Sequence, residues 1–221
     1  TGAIAYPRAD RLAQRPIPTL GGLAIAAGIA AGIMLAPIAP IDRLALLAGL
    51  VAMVSLGLAD DLGSISPLVR LVLEAATGAA FALAVTMDLD VPIRIAAVAV
   101  TTVAVPVAIN ATNLVDNADG LAASLSLVTA LSLGLLAIVG GNPEIGTLAL
   151  VIAAACVAFL AFNLPPARVF MGDTGSLMLG FVLAATSILL TRDAIVTPGD
   201  NHIAIAIVVP LTFALQIGDL A

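Results

Sequence analysis

Apolar residues in this sequence are gathered into eight long runs, at 22–39, 43–59, 68–87, 92–109, 121–139, 146–162, 175–190 and 203–219. Crossing a bilayer takes about 20 mainly apolar residues, with a range of about 17–25. The shorter runs gain length from interfacial ends and from snorkelling of Arg43, Arg70, Arg94 and Arg192. In lipid, backbone groups must be satisfied inside the spanning structure, which leaves helices or closed barrels. The alternating ten-residue pattern of a barrel is not found. The runs therefore predict an all-α, polytopic membrane protein with about eight transmembrane helices. Composition agrees: 62% of residues are hydrophobic and 10% charged, where soluble domains carry about 45–50% and about 25%. With no linker-like stretch and no repeat, residues 1–221 are expected to form a single transmembrane domain. The chain opens on Thr1 and stops at Ala221 without a polar tail, and it is expected to be an excerpt of a longer protein.

Charge narrows the function classes. The net charge is -6 and all eight basic residues are Arg, so a basic stripe for nucleic acid is missing. Cys156 stands alone in an apolar run and is expected to be a small core residue. His202 is the only histidine, which argues against a His-based metal site or triad.

Eight spans put the polar connections on two sides. The first side carries residues 1–21, 60–67, 110–120, 163–174 and the C-terminus; the second carries 40–42, 88–91, 140–145 and 191–202. Arg8, Arg11, Arg15, Arg70 and Arg168 lie on the first side, against Arg43, Arg94 and Arg192 on the second. That bias makes the first side cytoplasmic. The second side consists of ordinary turns, such as Pro40-Ile41-Asp42 and Gly140-Gly141-Asn142-Pro143-Glu144, whose acids are expected to be solvated. The first side instead has acids flush against helix ends, among Gly and Asn, with few bases to pair them.

Four strings carry that pattern. Leu56-Gly57-Leu58-Ala59-Asp60-Asp61-Leu62-Gly63 closes the second run. Two carboxylates at a helix C-terminus meet the negative end of the dipole, so a divalent ion or Arg70 is needed to offset them. Neighbouring helical residues diverge by about 100°, which predicts separate roles for Asp60 and Asp61. Asn110-Ala111-Thr112-Asn113-Leu114-Val115-Asp116-Asn117-Ala118-Asp119-Gly120-Leu121 precedes the fifth span. Asp116 and Asp119 share a face there if the segment is helical or turn-like; the bland alternative is that Asp116 or Asn117 caps the fifth helix. Phe162-Asn163-Leu164-Pro165-Pro166-Ala167-Arg168-Val169-Phe170-Met171-Gly172-Asp173-Thr174-Gly175-Ser176 joins the sixth and seventh spans. Its prolines stop a helix, Asp173 is placed to cap the next, and Gly175 is expected to let backbone approach a ligand. Arg15-Pro16-Ile17-Pro18-Thr19-Leu20-Gly21-Gly22 enters the first span, where the Gly-Gly amides and Arg15 suit an anion. Arg70 and Glu74, four apart, are expected to form an intrahelical pair. Hard carboxylate oxygens suit Mg2+, which bridges phosphate oxygens. Their place at the membrane surface suits a substrate that is part lipid and part water-soluble phosphate.

In order and wording, the strings PTLGG, LADD, NATNLVDNADGLA and FNLPPARVFMGDTGSLMLG resemble the polyprenyl-phosphate N-acetylhexosamine-1-phosphate transferases. That family includes bacterial undecaprenyl-phosphate GlcNAc-1-phosphate transferases and phospho-MurNAc-pentapeptide transferases. The resemblance implies a ten- or eleven-helix fold in the bacterial cytoplasmic membrane with a cytoplasmic active site. It implies transfer of a sugar 1-phosphate from a UDP-sugar to undecaprenyl phosphate, with release of UMP, for cell-envelope polysaccharide synthesis. Membrane lipid is the surrounding partner and a homodimer is a candidate assembly. Asp119 and Asp173 look like the ligands of Mg2+, with Mn2+ as an alternative ion. Asp60 and Asp61 match the acidic pair that handles the lipid phosphate and, with Asp116, are the catalytic candidates. Asn113, Asp116, Asn163 and Phe170 correspond to positions lining the nucleotide pocket, and Arg15 and Arg70 to basic residues near phosphates. Asn117 departs from the usual Gly, and the family's first helix and histidine-bearing loop are not in the sequence. The FNLPPARVFMGDTGS wording favours a GlcNAc-1-phosphate donor over MurNAc-pentapeptide. A cation or proton transporter is the non-enzyme alternative, and an intramembrane aspartyl protease another. Both call for acids near mid-span, where only Glu74 and Asp219 lie within helices and neither is central.

Overall fold

The computed structural model describes residues 4–5 and 17–196 of the chain. A short antiparallel ladder pairs β1 (Ile4–Ala5) with β2 (Ile17–Pro18). Seven helices follow: α1 (Gly21–Leu35), α2 (Pro40–Leu62), α3 (Pro67–Val85), α4 (Val91–Val115), α5 (Leu121–Val139), α6 (Pro143–Asn163) and α7 (Gly172–Val196). Six of them, α2 to α7, are long and apolar enough to cross a membrane. The expected all-α, polytopic membrane fold is what the described residues adopt. α1 corrects the expected count, because at 15 residues it is short for a span; the extended Ala36 ends it, ahead of Pro37. The eighth run, 203–219, lies outside the described residues, as do Arg8, Arg11, Arg15 and His202.

Proline and short polar caps set most helix starts. α2, α3, α4 and α6 each have Pro in the first two positions, where a missing N–H costs nothing. Ser66 and Asn142 add side-chain caps, accepting from the amides of Val69 and Ile145.

α7 is the hub. It packs against each of the six other helices, and nearly all its residues from Thr174 to Leu190 are buried. A helix buried all round carries no polar stripe, and α7 accordingly runs apolar on every face. Gly180 lets α4 lie against it: a Cβ there would stand 2.5 Å from the Ile109 Cα. Phe181 fits edge-on against Phe81 of α3, with ring centres 5.7 Å apart. Cys156 is fully buried and unpaired, as expected of a small core residue.

The chain alternates direction, so the connections gather at two ends. At the second-side end, Asp42 is 2% exposed and is not the solvated loop acid that its turn suggested. Arg192 donates to both its oxygens, at 2.6 and 2.9 Å, and also to the Val85 carbonyl. Asp193 takes a further bond from Arg192 Nε and one from Asn142. This cluster ties α2, the end of α3, the α5–α6 connection and α7. Asp42 and Arg192 are 150 positions apart, a separation that hides the pair from any local pattern. Arg43 is likewise more than a snorkelling end: it donates to the carbonyls of Ile33 in the last turn of α1, of Ala36 at its C-cap and of Ile38 just beyond. Those are carbonyls that a helix end leaves unpaired.

Candidate active site

At the other end, the four first-side strings converge. LADD lies in the last turn of α2, and its two carboxylates face different partners. Asp60 pairs with Arg70 at 3.2 Å and accepts from the Ile65 amide. Asp61 accepts from the Asp173 and Thr174 amides, both at 2.9 Å, and from the Thr174 hydroxyl at 2.6 Å. Asp61 is thus an N-cap supplied by another helix. The α2 carboxylates meet the positive N-terminus of α7 and a guanidinium, and this offsets the dipole at their own helix end. Gly57, one turn earlier on the same face of α2, makes the approach feasible. A Cβ at Gly57 would sit 2.5 Å from the Asp173 carbonyl oxygen. Asp173 lies in the first turn of α7, with the capping role taken by Asp61.

The second string divides differently from expectation. Asn110 and Asn113 belong to the last turns of α4 and share a face, being three apart. Asp116 is the C-cap and residues 117–120 form a turn, so the pair lies in the turn-like form of that segment and not along a helix. Gly120, at φ 76°, is the N-cap of α5 without a side-chain bond, so neither Asp116 nor Asn117 caps that helix.

Arg70 of α3 stands at the centre. It donates to Asp60, to Asn110 at 3.0 Å and to Asn113 at 3.0 Å, and its Nε lies 3.4 Å from Glu74. The expected Arg70–Glu74 pair is therefore present, but it is one edge of a larger network. Asn110 Nδ2 donates to Glu74 Oε2 at 2.5 Å, and Asn113 Nδ2 donates to Asp173 Oδ1 at 2.6 Å and Ser176 Oγ at 2.9 Å.

The α6–α7 connection is stitched to the α4–α5 turn. Asn163 accepts from the Gly120 amide at 3.1 Å and donates to the Val169 carbonyl. Asp119 accepts from the Ala167 amide at 3.0 Å. Phe170 is half-buried; its amide donates to Pro18 and its carbonyl accepts from Gly21. Gly22 donates to Met171. The Gly21 and Gly22 amides are thus used by protein carbonyls, which corrects the reading of them as an anion cradle. Gly175 is corrected too, since it packs against the Gly22 backbone and Met171 inside the bundle.

The structure thus gathers Asp60, Asp61, Arg70, Asn113 and Asp173 into one contact network, with Asp119 and Phe170 in the adjoining loops and Asn163 at the end of α6. Asp116 ends α4 beside them, half-buried, and Arg15 lies outside the described residues. Sequence reading left Glu74, Asn110, Thr174 and Ser176 out of the site. The signals were Asn110 and Asn113 at helical spacing, and Glu74 one turn from Arg70. Among the described residues no group of three or more His, Cys, Asp or Glu is spaced to hold a metal unaided.

The fold and this end together define a polytopic, all-α membrane protein with carboxylates, asparagines and one guanidinium gathered at one end of the bundle. Residues 43–191 match the model of glycosyl transferase family 4, and the chain belongs to that family. It is 34% identical over 200 residues to a probable undecaprenyl-phosphate N-acetylglucosaminyl 1-phosphate transferase of Bacillus subtilis, covering 85% of this chain and 55% of that protein. It is 33% identical over 217 residues to a decaprenyl-phosphate N-acetylglucosaminephosphotransferase of Mycolicibacterium smegmatis, covering 84% and 53%. A phospho-N-acetylmuramoyl-pentapeptide-transferase of Moorella thermoacetica is 49% identical over 89 residues, covering 40% of this chain and 28% of that protein. The chain spans about half the length of the first two relatives.

Proposed function

We propose that the complete protein containing this chain transfers a sugar 1-phosphate, GlcNAc-1-phosphate before others, from a UDP-sugar to undecaprenyl phosphate. The observation that carries this reading is the convergence of all four motif strings on one end of the bundle. In the reaction an oxygen of the lipid phosphate attacks the sugar-linked phosphorus of the donor. A new P–O bond forms, the bond to the bridging oxygen breaks, and UMP leaves. The site works on the bacterial plasma membrane, on its cytoplasmic face, as the excess of arginine on that side favours.

A divalent ion fits the donor set. The polar end offers carboxylate and amide oxygens, and its acids outnumber Arg70, their partner in the network. Mg2+ commonly takes one or two protein carboxylates and completes its shell with water and phosphate. Asp119 and Asp173 would hold the ion, which when bound neutralises phosphate charge and bridges phosphate oxygens; Mn2+ can substitute.

The chain's own residues do the positioning. A phosphomonoester has a second pKa of about 6, so the lipid phosphate is largely dianionic at neutral pH and needs no strong base. Asp60 and Asp61 already accept two and three hydrogen bonds within the protein. Those commitments favour holding Arg70 and the α7 N-terminus over proton abstraction. Asn113, Asn163, Phe170 and Asp116 are the candidates for the nucleotide side of the pocket, with Arg70 and Arg15 near the phosphates.

The test is UMP release by the complete gene product in detergent, with Mg2+, undecaprenyl phosphate and either UDP-GlcNAc or UDP-MurNAc-pentapeptide. UMP with UDP-GlcNAc is the expected result. UMP with the pentapeptide donor alone would move the protein to the branch of its Moorella relative. No UMP with either donor, together with metal-dependent ion flux, would replace the transferase by a transporter.

A further inference from the structure

Glu74 is a fully buried carboxylate of α3, and nothing in the reaction above uses it. We propose that Glu74 is a positioning residue for the transfer reaction, because with Asp60 it holds the Arg70 guanidinium that orients Asn113 on Asp173. The inference rests on the transferase reading.

An ionised carboxylate can only accept, and a guanidinium can only donate. Asn110 Nδ2 donates to Glu74 Oε2 at 2.5 Å and to the Pro106 carbonyl at 2.9 Å, so the Asn110 amide turns its oxygen away from both. That oxygen meets Arg70 Nη2 at 3.0 Å. The same Nη2 donates to Asn113 Oδ1, also at 3.0 Å. With its oxygen committed to Arg70, the Asn113 amide must point its NH2 group outward, to Asp173 Oδ1 at 2.6 Å and Ser176 Oγ at 2.9 Å. An acceptor-only group stands at each end of the chain and a donor-only group in its middle. Each amide then has one orientation.

Two further observations favour this role over plain packing. Glu74 Oε1 is buried without a hydrogen bond, its closest positive charge being Arg70 Nε at 3.4 Å. A buried, incompletely satisfied ion pair is a poor source of stability compared with an apolar side chain. Glu74 and Asp60 also flank Arg70 from two sides, holding its fork in the plane that reaches both asparagines. What Glu74 contributes is the placement of Arg70, whose Nη2 fixes the Asn113 amide on the Asp173 carboxylate.

Glu74→Gln keeps the shape and brings a donor into the chain, so either its own NH2 faces Arg70 or the Asn110 amide must turn over. The assay is UMP release by the complete gene product, with kcat and KM for both substrates and a thermal melt for each variant. Small displacements of positioning groups cost up to about 100-fold in rate. We expect kcat to fall by about 10-fold with KM changed by less than about twofold, the pattern of a lost transition-state interaction. The melting midpoint should stay within about 2 °C. In an Asn113→Ala background the same substitution should change kcat by less than about twofold, since residues in one network are not additive. Asn110→Ala cuts the chain at its next link and is expected to match these values, so it carries the test if Glu74→Gln does not accumulate. Unchanged kcat in these variants, or an equally large loss in the Asn113→Ala background, overturns the inference while wild-type turnover keeps the transferase reading. A wild-type protein that releases no UMP from either donor removes both.

Discussion

Replacing Asp61 separates a cap from a catalyst. If its carboxylate holds the N-terminus of α7, Asp61→Ala removes three hydrogen bonds, at 2.9, 2.9 and 2.6 Å, in one step. Hydrogen bonds to a charged group contribute about 1.5–3 kcal/mol each in water-soluble proteins. Loss of an N-cap costs about 0.5–2 kcal/mol, and interhelical hydrogen bonds in membrane proteins average only about 0.6 kcal/mol. Three bonds to one carboxylate are not additive, which places the cost at about 2–3 kcal/mol. For a chain of this length 1 kcal/mol shifts the midpoint by about 2–4 °C, so the melt should fall by about 4–12 °C. Asp61→Asn keeps one acceptor oxygen but turns an NH2 toward the amides of α7, and should fall between Ala and wild type. The chain has no Trp and one Tyr, so helix loss is followed by circular dichroism. A melt of Asp61→Ala within about 1 °C of wild type, alongside lost UMP release, would refute the cap and leave Asp61 free to act on substrate.

Other consequences are checked in the same preparations. Arg192→Met strands the buried carboxylate of Asp42 and should cost about 3–5 kcal/mol, while Asp42→Leu with Arg192→Met should recover most of it, as buried pairs replaced together are often neutral. Asp60→Asn should lower the rate without changing the shape of the pH–rate profile, because Asp60 is bound to Arg70 and the Ile65 amide. Loss of an ascending limb near neutrality would make Asp60 a general base.

Most of the bundle was legible in the sequence because lipid imposes a simple rule. Apolar length decides the span, and Pro and Gly mark the ends, so the runs from 43 to 190 correspond to α2 to α7. What failed were boundaries and partners. The run at 22–39 gave a 15-residue helix because Ala36 turns extended before Pro37. The run at 92–109 stopped short of Asn110 and Asn113, since polar residues lower hydropathy even when a helix continues through them. Motif wording located the site's carboxylates, yet not their neighbours. The Asp61 bonds to α7 span more than a hundred positions, and the chain from Glu74 to Asp173 crosses three helices. The Gly-Gly and Gly175 positions looked like ligand contacts and proved to be packing contacts, because a missing Cβ serves close backbone approach of either kind.

The central claim is that the first-side loops hold a divalent ion between Asp119 and Asp173. Titration of Mn2+ into the solubilised complete gene product with UDP present, followed by the electron paramagnetic resonance of free Mn2+, addresses it directly. The account predicts a bound ion that Mg2+ displaces, with affinity lowered by at least about 10-fold in both Asp119→Asn and Asp173→Asn. Wild-type binding in either variant would contradict it.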